Sequence, residues 1–338
     1  MTAIVSQRNG FGRRGFVKGA LIGVSVAGMS AIGHGIANAE EGGYAQAAPV
    51  AYAENYLVDP SSEWELFATV EGALNIEGLN VLDGTIYAID VLTHKIVRVE
   101  GGKGVTIWED PEGVAMPNGA RFIDDHTMLI TDVAKGICTF DIGTAEYVSH
   151  VQEFGGVPFN GPNDLVLDGN GGAYFTDPGS SSSVDPYGRV YHVNYENGSY
   201  DVQLLAEGIA FPNGITISPS GEHVYVAEFN RNQILRIPSL TYAQAAPDSP
   251  WVFARLTGGH GPDGLMTDAA GNVFAAHYQA SEIVVVDPNG FMVAIVRLPE
   301  SAGASITNLM IFDGYLYACE ADQSVIWRIP INDEMLAL

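Results

Sequence analysis

The sequence predicts an all-β chain, a six-bladed β-propeller whose N-terminal strand closes the last blade. Three observations predict it. A short motif built on Asn, Asp or Glu recurs six times, β-branched and aromatic stretches alternate with Gly- and Asp-rich turns, and no helix-period segment of useful length follows residue 40. The motif is clearest in "GPNDLVLDGNGGAYFTDP" from 161, "FPNGITISPSGEHVYVAE" from 211 and "GPDGLMTDAAGNVFAAH" from 261, where Asn163, Asn213 and Asp263 stand 50 residues apart.

The N-terminus reads as an export address. "RRGFVKGALIGVSVAGMSAIGHGIANA", residues 13–39, has a basic start, a mildly apolar run and Ala37-Asn38-Ala39 as a small-residue cleavage site. Arg13-Arg14 followed by Gly-Phe-Val-Lys is similar to a twin-arginine signal, although Gly12 stands where Ser or Thr is usual; an ordinary secretory signal is the alternative. The expectation is therefore a cleaved signal over 1–39, a linker over 40–60 and a periplasmic or otherwise exported propeller over 61–338, handled in transit by the twin-arginine machinery. No segment offers 18 consecutive apolar residues, so stable membrane insertion is not expected.

Cleavage removes four of the 15 basic residues and none of the 40 acids, taking the formal charge from −25 to −29. Such a surface repels phosphate backbones, which argues against a nucleic-acid partner. Solubility is the commoner reason for acidity of this kind. The 47% hydrophobic content is ample for a core, and the two cysteines, Cys138 and Cys319, sit in apolar stretches that suit buried thiols.

The repeats follow in order. Their anchors are Glu77 in "NIEGLNVLDGTIYAID", Asn118 in "MPNGARFIDDHTMLITD", then Asn163, Asn213 and Asp263, and finally Asn308 in "ITNLMIFDGYLYACEAD". Behind each comes a strand, a turn such as Asp83-Gly84 or Ser220-Gly221, a second strand and usually a third. Units of 40–50 residues with about four strands are the mark of propeller blades. The last repeat ends one strand short at "VIWRIPI", and "EWELFATV" at 63–70 has no repeat of its own, so this strand is expected to complete the last blade.

An anchor placed just ahead of the innermost strand of its blade makes the six a ring at one mouth of the channel. Glu77, Asn118, Asn163, Asn213 and Asp263, with Asn308 completing the set, offer hard oxygen donors. That chemistry suits Ca²⁺, or Mg²⁺ or Mn²⁺, and suits zinc poorly. A single Pro-Asn-Gly is more often a turn; the recurrence, and the use of Glu in one repeat, favour a metal site.

"EGLNVLDGTIYAID" and the three motifs quoted first resemble the family of senescence marker protein, gluconolactonase and luciferin-regenerating enzyme, over about residues 60–330. More distantly they resemble diisopropyl fluorophosphatase and the paraoxonases. The resemblance implies a calcium-type six-bladed hydrolase of small lactones or esters. It implies that Glu77, Asn213 and Asp263 bind the metal, that Asn163 joins them or positions substrate, and that Asp263 is the catalytic base or nucleophile. Leu79 replaces the family's proline, Gly161-Pro162 stand where sugar-lactone enzymes can carry arginine, and Met310 stands where phosphotriesterase-type members can have histidine. With Phe159, Phe211, Met116 and Met310 near the anchors, a hydrophobic or aromatic lactone is expected, with Asn118, Asn163, Phe211, His260 and Met310 as substrate contacts. A propeller that only binds ligand, or a lyase or isomerase using the cation as Lewis acid, is the alternative.

Other features have plainer explanations. His260 and His277 lie nearest the mouth, and a hydrogen-bonded structural role is the commoner one. Asp90, Asp132, Asp177 and Glu228 recur at the end of the second strand, where turn and inter-blade hydrogen bonds are the favoured explanation. The run "GSSSSVDPYG", 179–188, reads as a loop that either gates the site or merely covers surface.

Overall fold

In the computed structural model, residues 57–59, 61–242 and 250–332 are described. The export signal and nearly all of the 40–60 linker lie outside them. Strand β1 is Glu65–Thr69; β2–β5 are Ile76–Leu82, Thr85–Asp90, Lys95–Glu100 and Lys103–Glu109; β6–β9 are Pro117–Phe122, Thr127–Asp132, Gly136–Asp141 and Tyr147–Val151. A small hairpin, β10 (Glu153–Phe154) and β11 (Val157–Pro158), precedes β12–β15, which are Leu165–Leu167, Gly172–Asp177, Gly188–Asn194 and Asp201–Ile209. Then come β16–β19 (Pro212–Ile217, His223–Glu228, Gln233–Pro238, Trp251–Arg255), β20–β23 (Gly261–Thr267, Val273–Tyr278, Glu282–Val286, Met292–Arg297) and β24–β26 (Ile306–Phe312, Tyr315–Glu320, Val325–Pro330). Two 3₁₀ turns, Glu196–Gly198 and Phe229–Arg231, are the helical residues among those described.

The fold is all-β and propeller-like. Four antiparallel four-stranded sheets, β6–β9, β12–β15, β16–β19 and β20–β23, accompany one eight-stranded sheet of order β2-β3-β4-β5-β1-β26-β25-β24. Within that sheet β1 pairs antiparallel with β26, Glu65 opposite Arg328 and Thr69 opposite Val325, and touches β5 at a single parallel pair, Thr69 and Lys103. The N-terminal strand thus completes the last repeat, as its lone position in the sequence predicts.

Local chemistry explains the hairpins. Asp83-Gly84 and Asp313-Gly314 both have positive φ at the two turn residues, +48° and +76° in the first and +49° and +74° in the second. These are the values a two-residue turn needs to match the strand twist. Sheet faces pack on one another through alternate side chains. Ile89 and Ile96 from β3 and β4 meet Met128, Ile130 and Phe140 from the next sheet, and Tyr174 and Val190 meet Ile215, Val226 and Leu235 from the one after. The thiols of Cys138 and Cys319 are free and buried, and burial pushes both up, Cys138 to about 12. Among the described residues no helix is long and apolar enough to cross a membrane.

The first strands of the repeats lie side by side in a closed circuit. β2 packs on β6, β6 on β12, β12 on β16, β16 on β20, β20 on β24, and β24 returns to β2. That circuit positions the site.

Candidate functional site

Each of β2, β6, β16, β20 and β24 carries a bulge where its anchor sits, the pairing register slipping around Glu77, Asn118, Asn213, Asp263 and Asn308. The sequence suggests anchors ahead of the strands; five of them lie inside. The reason is the bulge, which lets the ladder begin before the anchor while two residues oppose one and the side chains are re-aimed. Asn163 does precede its strand, β12, with its N–H on the Thr176 carbonyl at 2.9 Å.

The glycine after the anchor is a matter of space. A Cβ on Gly78 would stand 2.4 Å from the Asn118 carbonyl oxygen, one on Gly214 would stand 2.0 Å from that of Asp263, and one on Gly264 would stand 2.9 Å from the Asn308 Cα. Only the missing side chain lets neighbouring first strands approach this closely. The contacts then run round the ring. Gly119 N–H donates to Asn163 O at 2.7 Å, Thr176 Oγ1 to Asn213 O at 2.7 Å, Thr307 Oγ1 to Ile76 O, and Asn308 Nδ2 to Glu77 Oε2 at 3.2 Å. The Asn213 side chain lies beside the Asp263 carboxylate and favours its charged form.

Four repeats place Gly after the anchor; the third places Asp164 there. This residue was missed as a site candidate, although an acid in a glycine position was a visible signal. Its carboxylate is buried, accepts the Leu165 N–H at 2.8 Å and the Ile215 N–H at 3.3 Å, and faces Gly119 of β6. Three carboxylates therefore share the ring. Burial, then the charge of Asp164, pushes Glu77 up to about 8, against the hydrogen bond from Asn308. Burial and the charges of Glu77 and Asp164 hold Asp263 well above the usual carboxylate range. Burial also raises Asp164, with Arg121 and the two N–H groups offsetting part of the rise. No basic side chain among the described residues offsets Glu77 or Asp263. Oxygen donors only, in amide-and-carboxylate mixture and with buried charge lacking a counter-ion, fit a hard divalent cation.

A second acidic group stands apart from the ring. Asp124, Asp125 and His126 gather their ligand atoms within 4.8 Å, which Glu77, Asp164 and Asp263 do not. The trio is exposed on the β6–β7 turn, and the Asp124 carboxylate accepts the N–H groups of His126 and Thr127. That is the chemistry of a turn.

Around the ring the other candidates separate. Asn118 is buried on the circuit and Asn163 is half-buried beside it. Phe211 packs at a tilt on Phe229 (centroids 5.8 Å), which stacks on exposed His260 (5.5 Å) and meets Tyr278 at a tilt (5.7 Å), forming an aromatic group on the Asn213–Asp263 side. Phe211 has φ +58°, an uncommon state for an aromatic residue, and its N–H donates to Ser181 Oγ at 2.9 Å. The 179–188 run is thus anchored to the site through a buried serine. Met310, Met116 and Phe159 instead pack half-buried against three separate core clusters. His277 is buried, with Nδ1 3.1 Å from Glu282 Oε1. Asp90, Asp132, Asp177 and Glu228 accept backbone N–H groups of the loops that lead into the first strands. They hold the ring's backbone from behind.

With that geometry in place, comparison with known proteins decides the lineage. The family described as SMP-30/Gluconolactonase/LRE-like region matches residues 71–329. The chain belongs to the SMP-30/gluconolactonase/LRE-like family. Within reach of that family, a protein named Lactonase drp35 from Staphylococcus epidermidis is 30% identical over 239 residues, 67% of this chain and 70% of the relative. Among solved structures, a gluconolactonase from Xanthomonas campestris superposes with a TM-score of 0.68 at 19% identity, covering 82% of this chain and 91% of the other. A calcium-binding regucalcin from Agrobacterium tumefaciens gives 0.64 at 21% identity, covering 78% and 96%. At these identities the two structures establish the shared fold.

Proposed function

We propose that this chain is a six-bladed propeller that hydrolyses a lactone or related ester with a divalent cation, Ca²⁺ first among the candidates, held in the ring of first strands. The lactonase relative and the gluconolactonase neighbour support the reaction. The six-blade count takes the eight-stranded sheet as two blades, β2–β5 and β24–β26 with β1, which meet at one residue pair. One observation carries the site: Glu77 and Asp263 are buried on a single ring, Glu77 accepting from the Asn308 amide and Asp263 lying beside the Asn213 side chain, and neither is opposed by a basic side chain.

Glu77, Asn163, Asn213 and Asp263 would hold the cation. When bound it polarises the scissile carbonyl and acidifies a water beside it. Asp263 accepts the proton from that water as its oxygen bonds to the carbonyl carbon. The same carboxyl returns the proton to the ring oxygen as the C–O bond breaks, so the product is a hydroxy acid and Asp263 is regenerated. Asn118 and the remaining amide of Asn163 orient the ester. The Phe211, Phe229, His260 and Tyr278 group offers an aromatic wall, which favours an apolar or aromatic acyl part.

The test strips the mature protein with chelator and assays aromatic and sugar lactones with and without Ca²⁺. Turnover should vanish on stripping and return with the ion, and Asp263→Asn should lower kcat about 10²–10⁴-fold. Metal-independent turnover would overturn the role given to the cation, and no turnover on any lactone would return the chain to the non-hydrolytic alternative. We also propose export through the twin-arginine route, on the Arg13-Arg14 motif. Replacing both by Lys should keep the precursor out of the periplasmic fraction, and unchanged export would point to the general secretory route.

A further inference from the structure

Among the described residues, eight of the nine non-glycine residues with positive φ lie in turns joining consecutive strands of one sheet, as Asp83 and Ser324 do. The ninth is Phe211. It stands on the crossing from β15 of one sheet to β16 of the next, and it alone of the nine carries a large apolar side chain. Glycine is the residue that takes such backbone without strain, and Gly161, likewise two residues ahead of its anchor, has φ +141°. In the fourth repeat a benzene ring stands there instead. Strain kept in this way beside a site marks a side chain that the site uses.

What holds Phe211 comes from another loop. Ser181, buried in the run between β13 and β14, accepts the Phe211 N–H at its Oγ (2.9 Å) and donates from the same oxygen to the Ile209 carbonyl (3.3 Å). The Ser181 carbonyl accepts the Asn230 side-chain amide at 3.0 Å, and the Phe229 N–H donates to the Phe211 carbonyl at 3.1 Å. The far end of the run closes on the same point, since a Cβ on Gly188 would stand 2.8 Å from Ser181 Oγ and 2.3 Å from Pro212 Cδ. Between those ends the run is braced internally. Ser182 and Asp185 exchange backbone hydrogen bonds at 3.0 and 3.2 Å, and the Ser180 N–H donates to the Tyr187 hydroxyl at 2.9 Å.

We propose that Ser181 is a positioning residue that fixes Phe211 in its left-handed backbone, and that Phe211, so fixed, selects lactones bearing a fused aromatic ring over aliphatic ones. The proposal rests on the reading of the first-strand ring as a lactone-hydrolysing site. A ring already held by its backbone loses little freedom when a flat aromatic group packs on it, and an aliphatic lactone offers it no comparable face. The 179–188 run is then a brace for one side chain.

Two six-membered lactones test this, dihydrocoumarin with a fused benzene ring and δ-valerolactone without one. Each is assayed with Ca²⁺-loaded wild type, Ser181→Ala, Phe211→Leu and the double variant, and kcat/KM for the first is divided by that for the second. Wild type should favour the aromatic lactone. That preference should fall about fivefold in Ser181→Ala, mainly through KM, and about tenfold in Phe211→Leu. The double variant should fall no further than Phe211→Leu, because Ser181 acts through Phe211. A wild-type preference for the aliphatic lactone, a Ser181→Ala preference within about twofold of wild type, or a further fall of about fivefold in the double variant would each overturn the proposal while leaving the hydrolase reading intact. No turnover of either lactone by wild type overturns that reading and this proposal with it. Should Ser181→Ala fail to fold, Phe211→Gly in the same chain is expected to restore folding, because glycine needs no brace at positive φ; a double variant melting no higher than the single one counts against the pairing.

Discussion

Asp110 is buried in the loop between β5 and β6, where its carboxylate accepts the N–H groups of Glu112, Val114 and Ala115 and stands 3.6 Å from Lys135 Nζ. Burial opposes its charge, but the three N–H groups, with Lys135, outweigh burial and hold the carboxyl down at about 2. A carboxyl lowered by folding stabilises the fold at pH values above its unfolded range near 4, and the contribution is lost as pH falls from about 4 towards 2. Asp110→Asn should therefore lower stability by about 2 kcal/mol at pH 7. Denaturant melts of both proteins between pH 7 and 3 check this, and the gap between them should narrow only below about pH 4; a constant gap would mean the charge contributes nothing. At this scale the sequence is a partial guide. The six anchors were legible because a repeat multiplies a weak signal. Asp164 was legible only as an acid standing where four other repeats have glycine; its contact with β6 was not, since that depends on which strand of a neighbouring repeat it faces. Ser181 was hidden for the same reason, its partner Phe211 lying 30 residues away.

Among the elements, the hairpins were readable from Asp-Gly pairs and alternating apolar residues, whereas the bulges at the anchors were not. A bulge is a relation between two strands, and nothing in "EGLN" or "PNGA" alone reports that Gly78 or Gly119 has no partner of its own. Yet the bulge and the glycine together, present in β2, β6, β16 and β20, let neighbouring first strands converge. Gly214 shows the consequence most sharply. Its φ is ordinary, so the objection to a side chain is steric alone, a Cβ falling 2.0 Å from the Asp263 carbonyl. Gly221, in the turn of the same sheet, has φ +73° and open space around it. Gly221→Ala should cost about 1 kcal/mol, from backbone strain. Gly214→Ala should cost about 3 kcal/mol by forcing β16 from β20, and should weaken Ca²⁺ binding as Asn213 and Asp263 separate. Equal melting temperatures for the two variants would show that the first strands are not in obligatory contact.

For the molecule as a whole, closure is the property on which the ring depends. β1, from one end of the described chain, and β24–β26, from the other, form the sheet run that sits between β20 and β2. The junction is reinforced beyond its ladder. Arg328 of β26 donates through Nε to Glu65 at 2.8 Å, and its guanidinium lies 4.9 Å from the Phe67 ring and 4.4 Å from that of Tyr315. Ala68 is buried in a cluster with Ile326, Cys319 and Ile76, so β1 reaches the core beneath Glu77 as well as the outer edge. A chain that begins at residue 71 would leave the outer edge of β26 unpaired and Ile326 partly uncovered. Open edges of this sort recruit other chains. The shortened protein should melt at least about 10 °C lower, given the scale of several kcal/mol for a lost strand, and should associate with rising concentration in size-exclusion chromatography. Loss of Ca²⁺ affinity should accompany both, because Asn308 and Glu77 meet across the weakened junction. A synthetic peptide of residues 61–70 supplied to it should reverse all three effects by adding the strand back. A shortened chain that stays monomeric, keeps its melting temperature and binds Ca²⁺ as before would show that the ring is held by its first strands alone.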